Sequence, residues 1–191
     1  MFIDSLEAPV LLIAMHQVVD PYFHRSVVLL LEHSSEGSFG VIINRPLELK
    51  VDGVLDELGI SWNGGSNELI HFGGPVQPEA GITLFSRPDP IDLPDAREVA
   101  PGLQFANDSD TLKALASQPP SQFRLLVGYA GWSAGQLEGE LTRNDWLLAP
   151  FDAGLVFAAD PAAVWNRALS SIGVRPEALP SWTVPDDSRG N

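Results

Sequence analysis

The stretch FRLLVGYAGWSAGQLEGEL, residues 123–141, joins a strand pattern directly to a helix pattern. Its first eight residues form an apolar run that predicts a buried β-strand, the strongest in the second half of the chain. Leu137 and Leu141 then recur at helical spacing, which predicts a helix with one apolar side. Between the two patterns lies GWSAG, which matches the G-x-S-x-G sequence of serine hydrolases. The role of Ser133 is therefore the first question that the sequence raises.

Ser133 is interpreted either as a nucleophile or as the cap of the following helix. A catalytic serine needs an imidazole base, which follows the serine in the α/β-hydrolase order. Here all four histidines precede it: His16, His24, His33 and His71. Ser133 and Gln136 have the spacing of a capping box, and Trp132 and Leu137 that of a hydrophobic staple. We favour the cap, which contributes about 1 kcal/mol, and keep a small hydrolase using Ser133 as the alternative.

The composition of the chain excludes several functional classes. The 191 residues suit a single domain, and 45% of them are hydrophobic, enough for a core. The net charge of −14 and the lack of a basic run disfavour direct binding of nucleic acid. The absence of cysteine excludes disulfides and thiolate catalysis. The acidic N-terminus shows no signal peptide, and the apolar runs are too short to span a membrane, so we expect a cytoplasmic protein.

Short apolar runs bounded by turn residues predict most of the strands. The predicted strands are 10–15, 26–31, 39–44, 68–72, 81–85, 103–107, 123–130, 146–150 and 155–159. Most links between them are too short for a helical crossover, so we expect neighbouring strands to run antiparallel. The fold class predicted is α+β, with a mixed, largely antiparallel sheet and a few short helices.

Polar N-cap residues and glycines at the C-terminal ends predict three further helices. They are residues 51–58 followed by Gly59, residues 111–117 capped by Asp108 or Ser109, and residues 161–172 capped by Asp160. The Pro- and Asp-rich residues 87–101 are expected to form a partly extended surface excursion. A single domain is predicted over residues 1–180, and residues 181–191 are predicted to be a disordered tail.

Three segments supply candidate ligand-binding residues. In the first, Arg45 precedes a proline, which holds the backbone extended, so Arg45 beside Asn44 is a candidate anion clamp. In the second, Gly73 and Gly74 either expose backbone N–H groups to an anion or form a plain turn. In the third, the candidates are Tyr129, Trp132 and Gln136. The alternative for Arg45 is a salt bridge to one of the many acidic residues, and the alternative for the aromatic residues is a place in the core.

No metal or cofactor site is predicted. A metal site needs three or four converging ligands. His16, Asp20 and His24 could meet at a turn between the first two strands, but none of the standard ligand spacings is present. Histidines in such a turn are more often polar loop residues. We therefore expect no metal, and neither of the glycine-rich nucleotide-binding motifs occurs.

The chain resembles the YqgE/AlgH family from about Pro9 to Val174. The resemblance is carried, in order, by LLIA, DPYFHRSVVLLLEH, GVIINRPLE, HFGGPV, GITLF, NDSDTLKALA, GYAGWSAGQLEGEL and WLLAP. It departs from the family at MHQVV, where a proline is expected, and around Pro90. The resemblance implies a single α+β domain whose bifurcated sheet forms a pseudo-barrel. It implies no particular reaction, although the AlgH name is tied to transcriptional regulation.

The functional prediction is a non-catalytic regulatory module that binds a small ligand or a protein partner. We expect its binding surface where the NRP, GGP and GYAGW segments converge. The alternatives are the hydrolase using Ser133 and a transcriptional regulator that binds DNA directly. The acidic net charge and the absence of a helix-turn-helix with a basic second helix disfavour the regulator.

Overall fold

A ten-stranded sheet, curled into a half-barrel, forms the framework of the computed structural model, which describes residues 6–86, 93 and 95–179. The strands are β1 Val10–Ala14, β2 Val27–Ser34, β3 Gly37–Ile42, β4 Pro46–Lys50, β5 Leu69–Phe72, β6 Val76–Ser86, β7 Arg97–Ala100, β8 Leu103–Ala106, β9 Phe123–Ser133 and β10 Trp146–Pro150. The helices in these residues are α1 Val51–Glu57, α2 Ser109–Ser117, α3 Gln136–Thr142, α4 Ala153–Val156 and α5 Pro161–Ser171, followed by a 3₁₀ turn at Pro176–Ala178.

Strand β9 is the branch point of the sheet. The main order is β10-β1-β2-β3-β9-β6-β8-β7, and β5, which also pairs with β4, joins β9. Residues 123–129 of β9 pair with β6, and residues 130–133 pair with β3, both antiparallel. Leu126 and Val127 also pair with β5 in parallel. This topology confirms the predicted single α+β domain with a bifurcated, largely antiparallel sheet.

The central strands are buried on both faces, which explains why they appear as continuous apolar runs rather than alternating ones. Every residue of β1 is buried. Leu11 and Ile13 face one core, which α5 covers with Val164, Trp165, Ala168 and Leu169. Val10 and Leu12 face a second core, to which α3 contributes Leu137 and Leu141. The predicted amphipathic faces of both helices therefore have their core partners.

Glycines let the segment before β6 lie directly on the backbone of β9. A Cβ on Gly73 would lie 2.2 Å from the carbonyl oxygen of Gly128, and a Cβ on Gly74 would lie 2.2 Å from the carbonyl carbon of Tyr129. Gly128 itself has φ of 69°, in the left-handed region that favours glycine. The N–H of Gly73 donates to the carbonyl of Val127, and the carbonyl of Gly73 accepts from Ile42. The GGP segment thus ties β3 to β9.

Three elements differ from the sequence-based predictions. Residues 155–159, predicted to be a strand, begin inside helix α4, which Asp152 caps by accepting from Gly154 N–H at 2.7 Å. A short apolar run does not by itself distinguish a strand from a buried helical turn. Strands β4 and β7 were not predicted, because their mostly exposed residues show no apolar run. Strand β7 lies at the end of the predicted surface excursion, of which residues 87–92 and 94 are outside the described residues.

The remaining helix boundaries follow their predicted signals. Asp108 caps α2 by accepting from Thr111 N–H at 2.7 Å, and Asp160 caps α5 by accepting from Ala162 N–H at 3.1 Å. Gly59 and Gly173 follow α1 and α5 with positive φ. The predicted tail, residues 181–191, lies outside the described residues. Within those described, none of the helices combines the length and apolar character needed to cross a membrane.

We expect Gly73→Ala to lower the free energy of unfolding by about 3 kcal/mol, because the added methyl group meets backbone that cannot move aside. Gly53→Ala in α1 is the matched control. A Cβ there meets nothing within 4 Å, so this variant should gain up to about 1 kcal/mol from helix propensity. Urea unfolding of the two variants measures both effects, and equal stability of the two would contradict the close packing of Gly73.

Candidate ligand-binding site

The NRP, GGP and GYAGW segments are in contact through their backbones. Phe72 N–H donates to the carbonyl of Arg45 at 2.7 Å, and Gly73 N–H donates to Val127 at 2.8 Å. The side chains of the predicted site, however, point to different places. The Gly73 N–H is already used within the sheet, so it is not free to hold an anion.

Asn44 and Arg45 hold the loop between β1 and β2. The Asn44 side chain accepts from Val27 N–H at 2.8 Å and donates to the carbonyl of Arg25 at 3.0 Å. The Arg45 guanidinium donates to the carbonyl of His24, and its Nε is buried without a partner. Burial lowers the pKa of Arg45 from its usual value. Arg45 belongs to none of the ion pairs found in the described residues, so the predicted salt bridge does not form among them.

The aromatic candidates separate onto two sides of β9. Tyr129 packs against Phe39, with ring centroids 5.0 Å apart, beside the core covered by α5. Trp132 faces the other core and donates its indole N–H to Glu140 at 2.8 Å. Trp146 donates to the same carboxylate oxygen at 2.7 Å. Tyr129 and Trp132 therefore do not wall one common pocket.

Glu140 fixes the cleft in which Trp132 and Gln136 lie. Its second carboxylate oxygen accepts from the Gln136 amide at 3.0 Å, in addition to the two indole donors. The cleft has a volume of about 350 Å³ and opens towards the loop that carries the exposed Val19. A carboxylate with three donors holds the surrounding side chains in one arrangement.

Ser133 is not the N-cap of α3, which corrects the predicted capping box. It is the last residue of β9, and the N-cap is Gly135, whose φ is 73° and which has no side chain to cap with. Half of the predicted interaction is nevertheless present. The Gln136 side-chain oxygen accepts from Ser133 N–H at 3.1 Å and from its hydroxyl at 3.2 Å. The strand continues through Ser133 because this residue pairs with Gly37 of β3.

The serine that does contact a histidine is Ser38. Its hydroxyl lies 2.8 Å from Nδ1 of His33, and Nε2 of that ring lies 3.9 Å from Glu138. His33 and Ser38 are direct cross-strand neighbours on β2 and β3. A hydrogen bond between such neighbours is an ordinary feature of a hairpin.

The histidines near the first loop do not form a metal cluster. Asp20 accepts from Tyr22 N–H at 2.9 Å, and Nδ1 of His24 lies 3.4 Å from the carbonyl of Val18. Across residues 6–86, 93 and 95–179, His, Asp and Glu side chains nowhere gather in a group of three or more that could hold a metal ion.

A second concavity, which we call the Arg124 cavity, lies near the place where the NRP and GGP segments approach one another. Its volume is about 530 Å³. The lining residues come from β4, β5, β9 and the segment between α4 and α5: Pro46, Asn67, Glu68, Leu69, His71, Ser121, Gln122, Phe123, Arg124, Phe157, Ala158, Ala159 and Pro161. Arg124 and His71 are the buried charged or titratable residues among them, with 8% and 6% of their surface exposed.

The Arg124 guanidinium is anchored by carbonyl oxygens rather than by a carboxylate. It donates to Ile43 at 2.7 Å and to Ala158 at 3.1 Å. None of the ion pairs among the described residues includes it. Burial lowers the pKa of Arg124 to about 10, and the negative charge of Glu68 opposes that shift.

His71 contributes a buried ring nitrogen without a hydrogen-bond partner. Its Nδ1 lies 3.1 Å from the carbonyl of Leu69, so Nδ1 carries the proton and donates it. Its Nε2 is buried and unpaired. Burial, and then the positive charge of Arg124, lower the pKa of His71 to about 4, so the ring is neutral at neutral pH.

Neither Arg124 nor His71 was among the residues predicted to bind a ligand. Both lie inside predicted strands, in FRLLVGYA and ELIHF, and were treated there as strand residues. A charged or titratable residue within a buried apolar run is itself a signal, because such groups are rarely buried without a partner. The side chains they face could not be known before the strands were paired.

The fold and its polar cavity define the chain as a one-domain α+β half-barrel with a concavity of about 530 Å³. Residues 11–177 match the family model DUF179, described as AlgH-like, so the chain belongs to the AlgH-like family.

Curated relatives and solved structures agree with this assignment. A UPF0301 protein of Myxococcus xanthus is 40% identical over 174 residues, covering 90% of this chain and 94% of that protein. A UPF0301 protein of Cereibacter sphaeroides is 39% identical, with the same coverage. The solution structure of the AlgH protein from Pseudomonas aeruginosa is similar with a TM-score of 0.72 and 32% identity, covering 94% of this chain and all of that one. A crystal structure of a Corynebacterium diphtheriae protein gives a TM-score of 0.68 and 25% identity, covering 87% of this chain and 90% of that one.

We expect His71 to make the folded chain less stable as the pH falls from about 6.5 to 4. The unfolded chain takes up the proton near pH 6.5, whereas the folded chain takes it up only near pH 4. Above this window the imidazole is neutral in both the folded and the unfolded chain. Below it the free energy of unfolding has fallen by about 3 kcal/mol. Urea unfolding across this range should show a shallower pH dependence for His71→Gln. Parallel curves for the two proteins would contradict the burial of a neutral imidazole.

We expect a fluorophosphonate probe to leave Ser133 unlabelled, because its hydroxyl donates to Gln136 rather than to a histidine. Tryptic mass spectrometry of the treated protein locates any adduct. An adduct on Ser133 that Ser133→Ala abolishes would restore the hydrolase hypothesis.

Proposed function

We propose that the chain is a non-catalytic regulatory module that binds a small ligand in the Arg124 cavity. The observation that carries this proposal is the imidazole of His71, whose buried Nε2 has no hydrogen-bond partner, beside the buried guanidinium of Arg124 at a cavity of about 530 Å³. Buried polar groups in native proteins are almost always satisfied. A ligand in this cavity would supply the partner that Nε2 lacks.

None of the predicted candidate residues lines the Arg124 cavity, but two of the predicted segments adjoin residues that do. Pro46 follows Asn44 and Arg45 and lines the cavity, and His71 precedes the GGP segment by one residue. The roles that we propose for Asn44, Arg45, Gly73 and Gly74 are to hold the strands that present Arg124 and His71. Direct contact of these four residues with a ligand stays a prediction.

Trp132 and Gln136 lie in the smaller cleft of about 350 Å³, away from Arg124. We propose that this cleft, with the exposed Val19 at its edge, is where a protein partner would contact the module. Tyr129 belongs to neither cavity and supports β9 from the core. The proposal of a protein partner is secondary, because the side chains of this cleft already satisfy one another through Glu140.

The alternative functions have less support. Against a hydrolase stands the hydroxyl of Ser133, which donates to the Gln136 side chain. A regulator that binds DNA directly requires cations, and the chain carries a net charge of −14. The transcriptional role attached to the AlgH name is therefore proposed to act through a ligand or a partner. We also propose a cytoplasmic location, which fits an acidic chain without cysteine.

We expect Ala159→Phe to block the Arg124 cavity while leaving Arg124 and His71 unchanged. Ala159 is an exposed residue that lines the cavity, so a larger side chain there can occupy the space of a ligand. Ala162→Phe, on the exposed side of α5 and outside the cavity lining, is the control. Native mass spectrometry of the purified proteins should find a bound small molecule on the wild type and on Ala162→Phe but not on Ala159→Phe.

The proposal fails if Ala159→Phe keeps the bound molecule. It also fails if the wild type carries none and no member of a metabolite panel raises its melting temperature. Either result would leave the unsatisfied groups of the cavity without a binding role.

A further inference from the structure

We propose that the ligand of the Arg124 cavity is a small oxyanion, a carboxylate or a phosphate, and that His71 takes up a proton when this ligand binds. This inference rests on the proposed function and names the chemical class of its ligand. It follows from the charge, the hydrogen bonds and the neighbouring charged groups of Arg124 and His71.

Arg124 brings a positive charge into the protein and forms none of the ion pairs within 4.0 Å among the described residues; Glu68 acts on it only at longer range. A guanidinium has five N–H donors, and two of its hydrogen bonds here go to the neutral carbonyls of Ile43 and Ala158. A buried ion without a counter-ion is strongly unfavourable. Arg124 lines an open cavity, and the planar fork of donors of a guanidinium matches the paired oxygens of a carboxylate or phosphate. The cavity thus selects a ligand with a negative charge.

His71 is placed to respond to that charge. With Nδ1 donating to the carbonyl of Leu69, the lone pair on Nε2 has no partner, and the residue that carries it lines the cavity. In the neutral ring Nε2 can only accept a hydrogen bond, so it cannot donate one to an anion. Once protonated, Nε2 donates, and an oxyanion is an acceptor. The arriving ligand therefore favours the protonated ring, and binding takes up a proton from solution.

The charged groups around the imidazole support protonation of His71 when an anion binds. Arg124, on β9, disfavours the imidazolium, and a bound anion would offset its charge. Glu68, just before β5, is exposed and forms none of the ion pairs within 4.0 Å among the described residues, although it interacts with Arg124 at longer range. The side chains that line the cavity from β4 and from residues 157–161 are uncharged. Asp160 in that segment instead directs its carboxylate to Ala162 N–H.

The ligand class can be tested with simple probes on the full chain. Sulfate, which does not titrate between pH 5.5 and 7.5, and inorganic phosphate represent the phosphate class; acetate represents the carboxylates, and acetamide is its neutral analogue. Side-chain ¹H–¹⁵N spectra of the imidazole report both binding and the protonation of Nε2 of His71. We expect sulfate or acetate to shift the His71 signals towards the protonated ring, and acetamide to have no effect. The oxyanion that binds more tightly, acetate or phosphate, identifies the source of the ligand oxygens.

The pH dependence of the sulfate affinity distinguishes proton uptake by His71 from attraction by the charge of Arg124 alone. The affinity for sulfate should rise by up to tenfold for each unit that the pH falls between 7.5 and 5.5, because one proton is taken up for each anion bound. His71→Gln should bind sulfate with an affinity that is constant over this range. Arg124→Met should lose binding, whereas Arg97→Met, which removes an exposed guanidinium elsewhere, should not. If Arg124→Met does not fold, the wild-type and His71→Gln titrations decide the matter.

Four results would overturn the inference. Equal binding of acetamide and acetate would show that the cavity holds a neutral ligand, which leaves the proposed function standing. A sulfate affinity independent of pH, with Nε2 unprotonated in the complex, would remove the role of His71. Absence of binding by all oxyanions, together with a neutral molecule on the purified protein, would reject the anion while keeping the cavity as a ligand site. An empty purified protein that binds no probe would reject both proposals.

Discussion

The close approach of two backbones at Gly73–Gly74 and Gly128–Tyr129 is the constraint on which the rest of the structure depends. A side chain on Gly73, Gly74 or Gly128 would place its Cβ 2.2 Å from main-chain atoms of the opposing segment. Without side chains at these positions, β9 can keep β5 on one edge and β6 on the other, and still reach β3 with its last residues. The sheet divides at this point because one strand has three partners. A single pair of sequence segments therefore determines how the half-barrel closes.

The same branch point brings the two unusual side chains together. In the parallel pairing of β5 with β9, His71 lies opposite Leu126, and Arg124 is two residues before Leu126 on the same face. The cavity thus forms at the start of β5, before its short ladder with β9 begins, and residues 157–161 line it from the segment that leads into α5. Two strands that are each apolar in character supply one cation and one imidazole to the same space. This placement links the AlgH-like fold to the ligand site that we propose, which needs no loop insertion.

Local signals in the sequence predicted those elements whose causes are local. Asp108, Asp160 and the glycines after α1 and α5 act on their own helix ends, so their positions were predicted correctly. The buried strands were recognised because burial on both faces makes them continuously apolar. Ser133 shows the limit of this reasoning. Its spacing to Gln136 satisfies a capping pattern, but pairing with Gly37 keeps Ser133 in the strand and moves the helix start to Gly135.

By itself the sequence determined the fold class and most of the strands, because apolar periodicity, caps and glycine stops depend on neighbours along the chain. The family followed from the resemblance of several motifs in order. Only the tertiary structure decided which side chains share a cavity. Arg45, Tyr129 and Trp132 belong to the motifs that were predicted to form one site, yet their side chains face different spaces. Arg124 and His71 are 53 positions apart in the sequence and line the same cavity. The reason is that strand pairing and register set the direction of each side chain, and a one-residue change of register reverses it. That information arises from contacts between distant segments and is not present in any one of them.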